Sequence, residues 1–203
     1  QAWSRGISKA SILSVLVLLV SGAPDAGLVP ESEILPLNDT QLDLSLVEVV
    51  ERINKHLPSS RKSEAYRLGR TVLELSERHQ ISPALILAVV EMESSYRFTV
   101  VSSAGAVGLM QLRPTTAKYI AQRYKVRGYR SEADLRNPEI NLRLGVAYLA
   151  HLRRQFGHSL HYLAAYNVGP TALKKRLNAG RYELGSLDSY VRKIHGRTRE
   201  LQG

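Results

Sequence analysis

The 203-residue sequence contains no cysteine. That absence excludes disulfides, thiolate metal sites and cysteine nucleophiles. Acidic residues are scarce as well, 18 against 28 lysines and arginines, giving a formal net charge of +10. So basic a chain implies anionic surroundings, whether nucleic acid, lipid head groups or an acidic polymer. Several signatures of other chemistries are missing too. There is no HExxH for zinc and no GxSxG elbow for a serine nucleophile. The glycine pair in GAVG at 105–108 lacks the GK[ST] ending of a phosphate loop. His158 and His161 stand three apart with no carboxylate motif beside them, so they read as histidines on a solvated face. No metal and no cofactor is expected.

Long apolar runs are few, and the one near the start, Ile12 to Val20, is too short for a comfortable membrane span. Arg5 and Lys9 precede it and Ser21-Gly22-Ala23 follow it, which is the layout of a secretory signal peptide. Residues 1–23 are therefore read as a signal peptide and 24–40, rich in Pro, Gly, Asp and Glu, as a flexible linker. Residues 41–203 form one domain, with 44% hydrophobic residues over the chain to build its core. An exported protein without cysteine is expected in the periplasm or elsewhere in a bacterial cell envelope.

The domain reads as mainly α, with seven or eight helices. Leu44, Val47, Val50, Ile53 and Leu57 mark one face of an amphipathic helix ended by Pro58. This acidic stretch, Leu42 to Leu57, is expected to cover the domain, with docking of a partner as the alternative. A second helix spans 59–79, with Ala65, Leu68, Val72, Leu73 and Leu75 as its apolar stripe. Ser82-Pro83 caps a third, apolar almost all round from Ala84 to Val90, which should run through the core. Asn137-Pro138 is another cap-plus-proline start. Further helices are expected over 115–124, 160–167, 171–178 and 186–200, and a small hairpin near 97–107.

Two carboxylates, Glu91 and Glu93, end the third helix. Two residues apart, they point roughly 200° apart and cannot act as a facing pair. Glu93 falls on the side of Val89 and Val90, so Glu91 is read as a surface or salt-bridging residue. The next acid after Glu93 is Glu132, and seven basic residues lie between. A carboxylate at a helix C-terminus, and buried, should have a raised pKa. Arg97 and Arg113 are accordingly expected to point away from Glu93 or toward substrate carboxylates.

Four groups of residues in order then carry a family likeness. Glu93-Ser94 with Gly105-Ala106-Val107-Gly108-Leu109-Met110-Gln111 resembles the ES and GLMQ motifs of the SLT-type (family 1) soluble lytic transglycosylases. Asn137-Pro138-Glu139-Ile140-Asn141 with Gly145 and Tyr148-Leu149 resembles their NPxxN…GxxYL helix. Ala165-Tyr166-Asn167-Val168-Gly169-Pro170 resembles AYNxGP, and Tyr190-Val191 a C-terminal tyrosine motif. The likeness runs from about residue 60 to 200. One departure is LDSYV ahead of the last tyrosine, where family members carry a fuller polar run. Asp188 and Glu183 are candidates for a supporting acid there.

The resemblance implies a goose-lysozyme-like, lysozyme-superfamily domain with a deep glycan cleft. It implies cleavage of the MurNAc-β-1,4-GlcNAc bond of peptidoglycan, leaving 1,6-anhydro-MurNAc ends. Glu93 would be the single catalytic residue, first as acid and then as base. Ser94, Gly105, Gly108, Met110, Gln111, Tyr166, Asn167 and Tyr190 would bind substrate or hold the glutamate. Met110 and Gln111 would line the cleft, and the two glycines would let the backbone approach the glycan. Ser94 is read equally as holding the glutamate or capping the helix, and Tyr148 as core or cleft. The expected partners are peptidoglycan strands, with an envelope or secretion-machine protein as a candidate, no nucleic acid, and a monomeric chain. Two alternatives remain: a hydrolytic muramidase on the same fold, and a non-catalytic peptidoglycan-binding scaffold.

Overall fold

The computed structural model describes residue 40 and residues 44–157, 160–180 and 189–203. The stretches read as a signal peptide and as nearly all of the linker, with Leu42, Glu183 and Asp188, lie outside the described residues.

Eight α-helices occur among the described residues. Helix α1, Leu46–His56, starts at a capping box in which Ser45 and Glu48 satisfy each other's backbone amides. That start fixes the helix phase. The buried face is Val49 and Ile53, joined by Leu44 and Leu57, while Val47 is 66% exposed. Of the expected stripe Leu44, Ile53 and Leu57 are buried and Val50 packs against the core; Val47 alone is corrected, its place taken by Val49. Helix α2, Lys62–His79, buries Ala65, Leu68, Val72 and Leu75 as expected. Gly69 allows α1 and α2 to approach closely, since a Cβ there would stand 2.8 Å from Val50 Cγ2.

Helix α3, Pro83–Ser94, is buried from Pro83 to Val90 without interruption. Its start is the Ser82 cap, whose hydroxyl accepts from the Leu85 amide. Each large aliphatic side chain so buried contributes about 1.5–3 kcal/mol. Helix α4 is Pro114–Tyr124 and α5 is Pro138–Phe156, the latter capped by the Asn137 side chain on the Glu139 and Ile140 amides. Helices α6, His161–Val168, and α7, Pro170–Asn178, are separated by Gly169. Helix α8, Ser189–Gln202, closes the described chain.

Helix α3 packs between α2 and α8, and α5 packs against α2, α4 and α6. In place of the expected hairpin, residues 97–113 form a compact loop with two isolated antiparallel bridges, Val101 to Val107 and Val107 to Leu112. Leu109 and Met110 drop into the main core, and the tight turns at Gly108 and Gln111 leave no room for paired strands. Two apolar clusters result. The larger surrounds α3; the smaller joins Val107, Leu112, Ala117, Ile120 and Leu135 to α5. Tyr148 and Tyr166 pack against both clusters, and the cleft described next opens along that seam.

Candidate active site

Glu93 sits one residue before the end of α3, where the chain turns out of the helix through Ser95 in the left-handed region. Glu91, on the other side, pairs with Arg197 of α8 at 2.8 Å and lies 3.9 Å from His56 of α1. The two carboxylates thus part as helical geometry requires, one into a cleft and one into a surface network. The Tyr190 hydroxyl of α8 donates a short hydrogen bond to Glu93 Oε1. Burial pushes the Glu93 carboxyl above its ordinary value, and the Tyr190 hydrogen bond, which favours the ionised form, pulls partly against it. Arg97 is turned away, its Nε donating to the Ser94 carbonyl at 2.9 Å.

The loop facing Glu93 is held from below by one buried side chain. Asn141 of α5 accepts from the Met110 amide at 2.8 Å and donates to the Val107 and Leu135 carbonyls at 2.9 Å each. Gly108 is required beneath it: with φ +81°, a Cβ there would stand 2.3 Å from Asn141 Nδ2 and 2.4 Å from the Leu135 carbonyl oxygen. Loop and tyrosine are joined directly, because the Tyr166 hydroxyl donates to the Met110 carbonyl at 2.7 Å. Gln111 takes a left-handed backbone, and its side-chain amide donates to the Val100 and Gly108 carbonyls.

The cleft so formed encloses about 480 Å³. Glu93 lies at it together with Gln111, Tyr148, Tyr166, Asn167 and the start of α4. Among the described lining residues Glu93 is the one carboxylate and Arg113 the one cation. The Tyr148 and Tyr166 rings lie 5.3 Å apart and tilted. Burial pushes the Tyr148 hydroxyl up to about 12, and burial and then the Glu93 charge push that of Tyr166 well above its ordinary range. Both phenols therefore stay protonated, as hydrogen-bond donors, through the neutral range.

The residues expected to bind substrate divide into three groups. Gln111, Tyr166 and Asn167 line the cleft, and Tyr190 reaches Glu93. Met110 does not line it: its side chain is fully buried against Gly145, where a Cβ would stand 2.3 Å from Met110 Sδ. Ser94 is buried too, its hydroxyl bonded back to the Val90 carbonyl at 3.1 Å rather than to Glu93 or the cleft. Gly108 serves packing against Asn141, not approach of a ligand, whereas Gly105, φ +75°, has open space where a Cβ would be. Sequence reasoning gave Asn141, Ser102, Thr115 and Thr116 no role. For Asn141 the signal was present, since it closes the NPxxN motif. The hydroxyl residues line the cleft only through the loop's path, which no local pattern announces. Among the described residues there is no group of three or more side chains able to hold a metal ion, and no helix long and apolar enough to cross a membrane.

The chain matches the transglycosylase SLT domain family over residues 70–185, more than half of its length. It is 36% identical over 107 residues to the soluble lytic murein transglycosylase of Escherichia coli strain K12, covering 51% of this chain and 17% of that protein. Its fold is similar to that of the 70 kDa soluble lytic transglycosylase of Escherichia coli, with TM-score 0.58 and 26% identity, over 78% of this chain and 30% of that one. It is likewise similar to lytic transglycosylase Slt of Pseudomonas aeruginosa, solved as an inactive glutamate-to-glutamine variant. There the TM-score is 0.54 and the identity 25%, over 77% of this chain and 28% of that one. The chain thus spans under a third of the length of each of these relatives.

Proposed function

We propose, on the premise that the chain belongs to the transglycosylase SLT domain family, that it is a lytic transglycosylase acting on the glycan strands of peptidoglycan. One observation carries the reading: Glu93, the single carboxylate among the described lining residues of the cleft, has a raised pKa and a tyrosine hydroxyl on one oxygen. Glycosidases that use two carboxylates need a second group across the scissile bond, and substrate-assisted enzymes do not. A raised pKa keeps the lone acid protonated closer to neutral pH, as a general acid requires.

In this reading Glu93 gives its proton to the bridging oxygen as the bond from MurNAc C1 breaks. The acetamido oxygen of the same MurNAc stabilises C1 in the meantime. The Glu93 carboxylate, held by the Tyr190 hydroxyl, then takes the proton of the C6 hydroxyl. O6 attacks C1 and closes the 1,6-anhydro ring. Glu93 ends protonated by the C6 hydroxyl's proton, its first proton having left on the GlcNAc O4 hydroxyl, and no water is consumed. Tyr148, Tyr166, Gln111 and Asn167 form walls against which sugar rings and N-acetyl groups can rest. Action in the periplasm or another envelope compartment is supported by the signal-like Arg5 to Ala23 segment.

The test is turnover of purified sacculi by the protein and by Glu93→Gln. Soluble muropeptides from the wild type alone, with sacculus binding kept by both, would support Glu93 as the acid/base. Turnover surviving in the variant would overturn that assignment. Binding without turnover by either would favour the scaffold alternative.

A further inference from the structure

A second cavity, larger than the cleft at about 650 Å³, opens where the C-terminal ends of α2 and α4 meet α5. The active-site cleft adjoins the N-terminal end of α4 and this one its C-terminal end. The 11 residues of α4, at about 1.5 Å rise each, put roughly 16 Å between them. Its walls include Arg78, His79, Tyr124, Lys125, Arg127 and Arg143. Glu74 lines it as well but is occupied by Arg78 at 2.8 Å, and Arg143 is occupied by Glu139. Among the described residues Lys125 and Arg127 have no acidic partner. Just outside, Arg123 and Arg154 rest over the Tyr124 ring rather than on carboxylates, and Arg153 donates to the His79 and Gln80 carbonyls at the end of α2.

We propose that this cavity is a second ligand site that takes a phosphate group, as the free anion or as part of a larger phosphorylated molecule. Cations converge on one concave space with too few carboxylates to neutralise them. Guanidinium forks and an ammonium group offer more donors than a carboxylate's two oxygens accept, whereas a phosphate presents more oxygens and up to two charges. The volume leaves room for a sugar or glycerol unit carrying the phosphate. The neighbouring histidines are affected by burial and by the arginines around them. His79 is held below its ordinary pKa by burial first and then by Arg78, Arg154 and Arg153. His151 is held down by burial and then by Arg154 and Arg123. A bound phosphate would offset those cations and raise the His79 pKa, which makes His79 a reporter of occupancy. The site is separate from the cleft chemistry and does not depend on it.

The test is a titration of the protein with inorganic phosphate, following the His79 ring resonances by NMR, against sodium chloride at equal ionic strength. The expected result is a saturable shift with phosphate only, and a His79 midpoint moved to higher pH. A double variant, Lys125→Asn with Arg127→Gln, should bind about tenfold more weakly through its lost charge-assisted contacts. Both positions are exposed, and asparagine tolerates the left-handed backbone at Lys125, so a melting curve matching the wild type is expected. Glycerol phosphate and vesicles of phosphatidylglycerol, against phosphatidylcholine alone, separate a soluble ester from a lipid head group, and either one supports the site. Chloride giving the same shift, or a well-folded double variant binding like the wild type, would overturn it.

Discussion

Replacing Asn141 by alanine should be strongly destabilising. Three backbone groups depend on this side chain: the Met110 amide and the Val107 and Leu135 carbonyls. Asn141 is 0% exposed, so water cannot take its place without opening the core. Each buried group left unsatisfied costs about 1–3 kcal/mol. Three of them set a loss of about 3–6 kcal/mol, allowing for partial relaxation. At about 2–4 °C per kcal/mol for a chain of this size, the melting temperature should fall by roughly 6–24 °C. The assay is urea denaturation followed by circular dichroism, reading the midpoint at unchanged slope. Activity measured well below the melting point should fall too, since Gln111 and the Tyr166 hydroxyl are both anchored on the same loop. A loss under about 1 kcal/mol at unchanged slope would refute the reasoning, because the loop would then be held without Asn141.

Other outcomes follow from the same geometry. Tyr190→Phe removes the hydroxyl that favours the ionised Glu93, so the Glu93 pKa should rise further. The alkaline limb of the pH profile of kcat/KM should then move to higher pH, and an unmoved limb would separate Tyr190 from the acid. Glu93→Gln should stabilise the fold at neutral pH. The folded carboxyl titrates above its unfolded value, so ionising it costs stability as pH rises through that window, and glutamine avoids the cost. The difference between melting curves should vanish at pH below the ordinary glutamate range; a difference that persists in acid would contradict it. Gly108→Ala should be severely destabilising, because its Cβ meets a backbone oxygen at 2.4 Å and Asn141 at 2.3 Å. Gly105→Ala, equally left-handed but in open space, should cost only about 1 kcal/mol. Comparable losses in the two variants would deny the packing role of Gly108.

Much of the helical framework was legible because its signals are local. Ser82-Pro83 and Asn137-Pro138 start helices by capping, and the unbroken apolar run after Pro83 could only be a core helix. The separation of Glu91 from Glu93 followed from helical rotation alone. What the sequence concealed depends on contacts between distant segments. Met110 reads as a flexible side chain beside a glycine-rich loop; only the missing side chain at Gly145, 35 positions later, shows that it points inward. Ser94 stands next to Glu93 but turns back on Val90, because the helix end offers a nearer carbonyl than the cleft does. The error at Val47 arose because Val47 and Val49 support competing apolar stripes, and packing of α1 on α2 through Val49 and Val50 decides between them. Tyr148, which the family resemblance left between core and cleft, serves both, since it lies on the seam of the two apolar clusters.

The proposed reaction needs one glutamate and no water. Digesting sacculi in water enriched in heavy oxygen and weighing the released muropeptides decides whether it does. The expected products are 1,6-anhydro muropeptides that carry no heavy oxygen. Reducing ends that each carry one heavy oxygen would mean that water attacks C1. The protein would then be a hydrolase, with a second carboxylate supplied from beyond the described cleft.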